Sequence, residues 1–206
     1  MSRTTAHWYF QAAVYAYGGE VSTEDFEIKL EEPPALAAAQ LWQDMVLKEK
    51  IAIGSNDPHA EFLNKKVGIV FGSTGSMANL MGRAAFTVKV GFMPGQVRRL
   101  VPVGGAIIAM TSTDRNRRNG AWEFMKFMTS ADAQSYIVRT TGYMPISTSS
   151  INHPETMAYF QKYPERKVAL DQLQYARAQA SVISLFVRSI MRPSSNFQDS
   201  RSWILR

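Results

Sequence analysis

The residues best suited to chemistry form a short loop of small and polar side chains, Gly72-Ser73-Thr74-Gly75-Ser76. Small residues let the backbone approach a ligand closely, and serine and threonine hydroxyls both donate and accept hydrogen bonds. An apolar stretch precedes the loop and a helical pattern follows it. The free N–H groups and dipole of a helix start would favour an anion or a polar oxygen there. An ordinary cap, with Ser73 or Ser76 accepting from backbone N–H groups, explains the same residues.

Catalytic and nucleotide-binding motifs do not fit this loop. A Walker A loop needs a lysine after its last glycine, and a dinucleotide-binding fingerprint needs a third glycine, and both are absent here. The chain also has no Ser-His-Asp order with a nucleophile elbow and no paired-carboxylate signature. We therefore expect no catalytic residue. An enzyme acting on phosphate esters, with residues 72–76 as an anion cradle, stays open as the alternative.

Three further positions have side chains or backbone suited to a ligand. Gly104-Gly105 interrupts an apolar strand pattern, which indicates a bulge or a close approach by another group. Tyr143 follows a predicted helix end and can present its ring or hydroxyl to a cleft, although core packing with an exposed hydroxyl fits as well. Trp8 has a flat face that suits the C–H surface of a sugar or polyol, although a lone tryptophan more often packs in the core.

Cysteine and histidine usage argues against metals and redox chemistry. The chain has no cysteine, which excludes disulfides, thiolate metal sites and a cysteine nucleophile. Its three histidines, His7, His59 and His153, are far apart, lack metal-ligand spacing and read most simply as surface or loop residues. We expect neither a metal nor a cofactor.

Charge is abundant and unevenly spread. The net charge is +6 and the sequence pI about 9.6, which favours anionic partners. Residues 20–32 are nonetheless rich in acid, whereas Arg115, Arg117 and Arg118 cluster on what reads as a polar loop before a helix. No basic helix with interleaved aromatic residues supports nucleic-acid binding. We therefore expect no nucleic-acid partner. No stretch reaches the roughly 18 apolar residues of a membrane-spanning helix.

The coarse secondary structure alternates strands and helices before becoming helical. Helices are predicted at 6–17, from Pro33-Pro34 onwards, at 59–65, from Met77, at 121–128, from Ser130 to Val138, at 154–163 and at 165–175. Strands are predicted at 26–30, 67–71, 87–92 and 101–111. This order indicates an α/β fold with an α-rich C-terminal extension.

Five segments in sequence order carry a resemblance to a known family. They are Val67 to Leu80, Val90 to Gly95, Gly104 to Ala106, Ala121 to Ser130 and Thr141 to Ile146. Together they resemble family 1 extracellular solute-binding proteins, and most of all the glycerol-3-phosphate-binding branch of these sugar receptors. The resemblance covers roughly residues 8–185, and this segment is similar to the C-terminal half of these proteins.

The resemblance implies a fold, a function and a site. It implies a type II periplasmic-binding lobe, with ligand held between two lobes that close by hinge motion, and no catalysis. It implies import of a sugar or polyol phosphate through the permease subunits of an ABC transporter, in the periplasm or outside the cell. Carried over by motif, Ser73, Gly105, Tyr143 and Trp8 are the implied ligand contacts.

The chain also departs from the family. Family members are about twice as long, and the N-terminal lobe that forms the other wall of the cleft has no counterpart here. The first residues lack the apolar region of a signal peptide, which conflicts with export. Residues 186–206 read as an atypical, disordered tail after a solute-binding portion at 1–185. Arg188 and Arg192 lie where the family places a ligand-binding arginine, but no motif identifies either.

Overall fold

A computed structural model describes residues 6–178 of the chain, except residues 24, 26 and 106. These residues form nine α-helices and a small two-stranded parallel sheet. The helices are α1 (Ala6–Ala16), α2 (Pro33–Gln43), α3 (Pro58–Leu63), α4 (Met77–Arg83), α5 (Arg115–Met128), α6 (Ala131–Thr141), α7 (Thr148–Ile151), α8 (Pro154–Lys162) and α9 (Pro164–Asp171). The strands are β1 (Val101–Val103) and β2 (Ala176–Ala178).

The first two helices pack together at the N-terminal end of the described chain. Val14 of α1 lies fully buried against Ala35 and Ala38 of α2. Phe10 meets Trp42 edge to face, with ring centroids 5.2 Å apart, a favourable aromatic geometry. Pro33 and Pro34 begin α2, where their missing N–H groups have no helical partner to lose. A π-helical turn at Asp44–Lys48 extends α2.

The parallel sheet joins the middle of the chain to the end of its described part. Val101 lies opposite Ala176, and Val103 opposite Ala178. Parallel strands need a long crossover, and here α5 to α9 supply it. Gln172, in the 3₁₀ turn at Gln172–Tyr175 before β2, accepts a hydrogen bond from the backbone N–H of Met93 at 2.6 Å. This hydrogen bond connects the segment around residue 92 to the turn that precedes β2.

Capping residues define the helices of this crossover. Asp114, Ser130, Ser147 and His153 each accept a backbone N–H at the start of α5, α6, α7 and α8. Between α6 and α8, Val138 packs against Tyr159 and Phe160 in a second buried cluster. Among the described residues, one buried cluster thus lies between α1 and α2 and another between α6 and α8.

The sequence predicted the helices better than the strands. Within the described residues, 67–71 and 87–92 form no strand, and pairing in 101–111 is confined to β1. Near residue 26, only an isolated bridge between Ser22 and Ile28 forms. The predicted strands at 67–71 and 87–92 are therefore wrong for this chain, because a strand exists only through hydrogen bonds to a neighbour.

Two other predictions change at their boundaries. The helix predicted at 121–128 begins at Arg115, so the arginine cluster belongs to α5 and not to a loop before it. The tail predicted at 186–206, with Arg188 and Arg192, lies outside the described residues. The fold therefore matches the expected α-rich extension, while the expected α/β lobe is mostly helical.

Candidate functional site

The loop at residues 72–76 is held by its own serines. Ser73 begins a 3₁₀ turn at Thr74–Ser76, and its hydroxyl oxygen accepts from the backbone N–H of Gly75 at 3.3 Å. The Ser76 hydroxyl donates to the carbonyl oxygen of Ser73 at 2.8 Å. Ser73 is exposed, so its hydroxyl also remains accessible from solvent. The capping interpretation of the loop is confirmed. The helix that follows, α4, has only seven residues, which weakens the expected contribution of a helix dipole.

Gly142 anchors the end of α6 against this loop. Its φ of 89° is left-handed, which ends the helix and is a conformation that glycine adopts without strain. A Cβ atom at this position would lie 2.7 Å from the carbonyl oxygen of Thr74. The backbone of residue 142 therefore packs directly on the loop, and no larger residue fits there unchanged.

Tyr143 packs against the same loop from the segment that follows α6. A Cβ atom at Gly75 would lie 2.7 Å from Cε2 and 2.8 Å from Cζ of the Tyr143 ring, so the ring sits flush against the glycine backbone. The side chain is 45% exposed, and the backbone N–H of Tyr143 donates to Oγ1 of Thr141 at 3.0 Å. The structure thus brings Tyr143 to the loop that contains Ser73, although the sequence selected the two residues from motifs far apart in the chain.

Trp8 and the glycine pair form a second contact. A Cβ atom at Gly104 would lie 2.5 Å from the Cη2 atom of the Trp8 ring, so the indole packs on the backbone at the end of β1. At Gly105 a Cβ atom would meet nothing within 4 Å among the described residues, and the glycine is exposed. The four expected contacts therefore lie in two regions: Ser73 and Tyr143 lie at the loop of residues 72–76, and Trp8 packs on Gly104, next to Gly105.

His59 is a neighbour of the loop that sequence reasoning did not select. Its Nε2 atom lies 3.3 Å from the position that a Cβ atom of Gly72 would occupy, and the residue is half-buried. The sequence interpretation treated it as a surface or loop residue. No local spacing signals this contact, because α3 and the loop meet only in the fold.

A large groove among the described residues lies beside the loop. Its volume is about 1020 Å³, and its walls are residues 67–74, residues 86–94 and part of α9. Gly72, Ser73 and Thr74 form one end, whereas Tyr143, Gly105 and Trp8 lie outside its lining. The other lining is mostly apolar side chains of the two unpaired extended segments. We therefore place the candidate site at the contact between the Tyr143 ring and the loop at residues 72–76.

The groups with shifted ionisation lie away from this contact. Burial raises the pKa of the Tyr15 hydroxyl, partly offset by the nearby positive charge of Arg177. A hydrogen bond to Glu32 raises the pKa of the exposed Lys29. Neither group lies among the residues of the candidate site, whose expected contacts are neutral donors and acceptors.

Metal ligands and membrane-spanning helices were sought in the same residues. In the part of the chain that the structure describes, no three histidine or carboxylate side chains come close enough to bind a metal together. Among these described residues no helix has the length and apolar character needed to cross a membrane.

Known proteins similar to this chain point in one direction. The family model described as bacterial extracellular solute-binding protein matches residues 1–168. The sn-glycerol-3-phosphate-binding periplasmic protein UgpB of Pectobacterium atrosepticum is 27% identical over 157 residues, which are 72% of this chain and 35% of that protein. The UgpB of Yersinia enterocolitica is also 27% identical, over 36% of its length. This chain thus spans about a third of the curated relatives it matches.

Solved structures with this fold extend the comparison. UgpB from Mycobacterium tuberculosis, in complex with glycerophosphocholine, matches with a TM-score of 0.80 and 28% identity over 93% of this chain and 52% of that one. Maltose-bound MalE3 of T. maritima matches with a TM-score of 0.70 at 18% identity, over 88% of this chain and 49% of that one, and shows the fold alone. Five motifs in order, the fold and the family model agree. This chain belongs to the family of bacterial extracellular solute-binding proteins.

Proposed function

We propose that this chain is the ligand-binding C-terminal part of a substrate receptor for an ABC importer. The single observation that carries this proposal is the packing of the Tyr143 ring on Gly75, which lies two residues along the chain from the exposed Ser73. Family membership and the names of the relatives support it. The receptor would act in the periplasm or outside the cell, with permease subunits as its protein partners.

The ligand we propose is a sugar or a glycerol-3-phosphate-like polyol phosphate. Both carry many oxygens that accept or donate hydrogen bonds, which fits a serine hydroxyl, a tyrosine hydroxyl and an open glycine backbone at Gly105. The face of Trp8 adds an apolar surface for C–H groups. UgpB of Mycobacterium tuberculosis binds glycerophosphocholine, and MalE3 of T. maritima binds maltose. Both ligand classes therefore occur among proteins of this fold.

The affinity we expect for this chain by itself is low. The described chain spans 52% of the M. tuberculosis structure, and in a two-lobed receptor the second lobe covers the other side of the ligand. A ligand on a single wall stays largely solvated and gains few contacts to offset the entropy lost on binding. We expect a Kd of about 1 mM or weaker, near −4 kcal/mol.

The test is an NMR titration of the isotope-labelled chain with glycerol-3-phosphate, glycerophosphocholine and maltose, each at concentrations of up to about 20 mM. Signals of Ser73 and Tyr143 should shift for one ligand class. In the chain, or in a receptor that supplies both lobes, Ser73→Ala and Tyr143→Phe should each lose about 1–2 kcal/mol, roughly tenfold in Kd.

Two matched variants control for the loss of a hydroxyl elsewhere. Ser149→Ala and Tyr136→Phe remove the same groups from exposed positions on α7 and α6, and they should leave ligand affinity unchanged. Equal affinity in Ser73→Ala, Tyr143→Phe and the parent would show that the site lies elsewhere. No response to any of the ligands would count against the binding function itself.

A further inference from the structure

The end of α1 is hydrogen-bonded to the segment that leads into β1. The carbonyl oxygen of Ala16, the last residue of the helix, accepts from the backbone N–H groups of Val97 at 2.8 Å and Arg98 at 3.3 Å. The half-buried guanidinium of Arg98 donates from Nε to the carbonyl oxygen of Tyr15 at 3.2 Å and from Nη2 to that of Gly19 at 2.7 Å. Arg98 therefore holds the helix end through both its backbone and its side chain.

Physical chemistry favours an arginine at this position. The last carbonyl groups of a helix have no partner within the helix, and they carry the negative end of its dipole, which attracts a cation. Hydrogen bonds from a charged donor are stronger than neutral ones, and a planar guanidinium can donate to two acceptors at once. Gly18 turns the chain with a φ of 87°, and the carbonyl groups on either side of it, those of Tyr15 and Gly19, both reach the same side chain.

A second arginine reaches the same turn but contributes less. Arg177, in the middle of β2, pairs with Glu20 at 2.6 Å. Both side chains are more than a third exposed, at 45% and 37%, and exposed ion pairs add little stability because solvent screens them. We therefore attribute the position of the helix end mainly to Arg98.

One side of α1 runs back from this junction to the second contact of the candidate site. Trp8, Ala12 and Tyr15 follow one another at four- and three-residue spacing and so share a side of the helix. Ala12 and Tyr15 are only 3% and 2% exposed. Trp8 lies about 12 Å along the helix axis from the last residue of α1, and its ring packs on Gly104. The helix therefore contacts the segment before β1 at one end and the backbone after β1 at the other.

The position of the indole depends on where the helix end is fixed. A slide of α1 by one turn would move each of its residues by about 5.4 Å, which is enough to take the Trp8 ring off Gly104. The packing of α1 on α2 is apolar and therefore non-directional. The hydrogen bonds of Arg98, in contrast, require particular carbonyl groups at particular distances and angles. Arg98 is thus well suited to set the position of α1 along its own axis.

We propose that Arg98 is a positioning residue of the ligand site, which fixes the end of α1 and so holds the Trp8 indole on Gly104. The effect on ligand binding rests on the proposed function, whereas the position of Trp8 is a property of the ligand-free chain. Trp8 is half-buried, so part of its ring is packed and part is accessible to the C–H surface of a ligand. Without Arg98 the indole occupies this position in only a fraction of the chains, and the apparent affinity falls by that fraction.

The first test follows the indole N–H signal of Trp8 by NMR of the isotope-labelled full chain without ligand, with Trp8→Phe to assign the signal. Arg98→Ala should move this signal towards that of an exposed indole. Arg98→Lys keeps the charge but loses the two directed donors of the guanidinium, so its signal should lie between those of the parent and Arg98→Ala. The lysine variant also replaces Arg98→Ala if circular dichroism shows that the alanine variant does not fold.

Arg139→Ala controls for a general loss of stability. Arg139 also donates from Nε to a backbone carbonyl oxygen, that of Ser135 at 3.3 Å, and it pairs with Glu155. These contacts join α6 to α8 and do not involve α1. Arg139→Ala should therefore lower Tm but leave the Trp8 signal where the parent has it.

The second test is a double-mutant cycle on the affinity for whichever of glycerol-3-phosphate, glycerophosphocholine and maltose binds to the chain. Arg98→Ala should weaken binding by about threefold to tenfold, if a third to a tenth of the chains keep the indole in place. In a Trp8→Ala background the same substitution should weaken binding no further, because the contact that Arg98 positions is already gone.

Three outcomes would overturn the proposal. The first is an unchanged Trp8 signal in a folded Arg98 variant, and the second is an equal shift of that signal in Arg139→Ala. The third is a loss of affinity from Arg98→Ala that is the same with and without Trp8. If none of the three probes binds, the proposed function fails, and the ligand-free spectra still decide whether Arg98 positions Trp8.

Discussion

Replacing Gly142 by alanine perturbs the contact on which the candidate site depends. Gly142 has a φ of 89°, and a Cβ atom there would lie 2.7 Å from the carbonyl oxygen of Thr74 and 3.4 Å from the backbone nitrogen of Ala78. The atoms it meets belong mostly to backbone, so no rotamer change relieves the contact. Gly142→Ala must either distort the end of α6 or push the loop away.

The expected cost follows from two separate effects. An alanine in the left-handed region costs about 1–2 kcal/mol. Overpacking a well-packed contact costs about 1–3 kcal/mol. The sum is a loss of about 2–5 kcal/mol in the free energy of unfolding, and for a chain of this size each kcal/mol lowers Tm by about 2–4 °C. We therefore expect Tm to fall by about 4–20 °C.

Thermal unfolding followed by circular dichroism measures this loss, with Gly120→Ala as the matched control. A Cβ atom at Gly120 meets nothing within 4 Å of the described residues, and alanine favours a helix over glycine by about 0.5–1 kcal/mol, so Tm should rise slightly. If Gly142→Ala melts with the parent while Gly120→Ala behaves as expected, the contact between α6 and the loop is wrong. The reasoning about Tyr143 would then fail with it.

Three further changes test other parts of the structure. Gly104→Ala places a methyl group 2.5 Å from the Trp8 ring, so the indole must move and tryptophan fluorescence should change; an unaltered spectrum would contradict the contact. Ser130→Ala removes the oxygen that accepts from the N–H of Ala133 and should cost about 1 kcal/mol in denaturant unfolding, whereas an unchanged midpoint would mean that water replaces this cap. Burial raises the pKa of Tyr15 above 10.0, so the Tyr15 hydroxyl ionises at a lower pH in the unfolded chain than in the folded chain. The free energy of unfolding should therefore fall as pH rises past about 10. Tyr15→Phe should lessen this fall, and an equal pH dependence of stability in both proteins would show that Tyr15 does not cause it.

Local chemistry made the helix ends predictable. The helix predicted from Ser130 to Val138 corresponds to α6, which Ser130 caps at its start and Gly142 ends. Caps and left-handed ends depend on residues within one turn, so the sequence contains what is needed to place them. The start of α5 was missed by several residues because Arg115 to Asn119 carry no apolar period.

Strand predictions failed where the partner was distant or absent. Val67–Phe71 has the composition of a buried strand, yet composition does not provide the neighbour that pairing requires. The pairing that does form joins Val101 to Ala176, and nothing near Ala176 in sequence indicates a strand. Pairing is a property of the whole fold, and short patterns do not contain it.

The candidate site, too, was predicted from the sequence only in part. Residue types and motif order selected Ser73 and Tyr143, but the packing of Tyr143 on the loop that contains Ser73 depends on Gly75 and Gly142, which were not selected as site residues. His59 was not selected, because a half-buried histidine on a short helix has no distinguishing spacing. Their roles in binding stay predictions.

The pairing of β1 with β2 has a consequence for synthesis. The ribosome adds about 5–20 residues per second, so roughly 4–15 s pass between the synthesis of β1 and that of its partner strand at Ala176–Ala178. During that interval β1 is an unpaired edge, which in general invites pairing with other nascent chains. Its central residue is Pro102, which has no N–H to donate and so cannot continue a ladder on that side. We therefore expect Pro102 to disfavour pairing of β1 with other chains before its partner strand has been made.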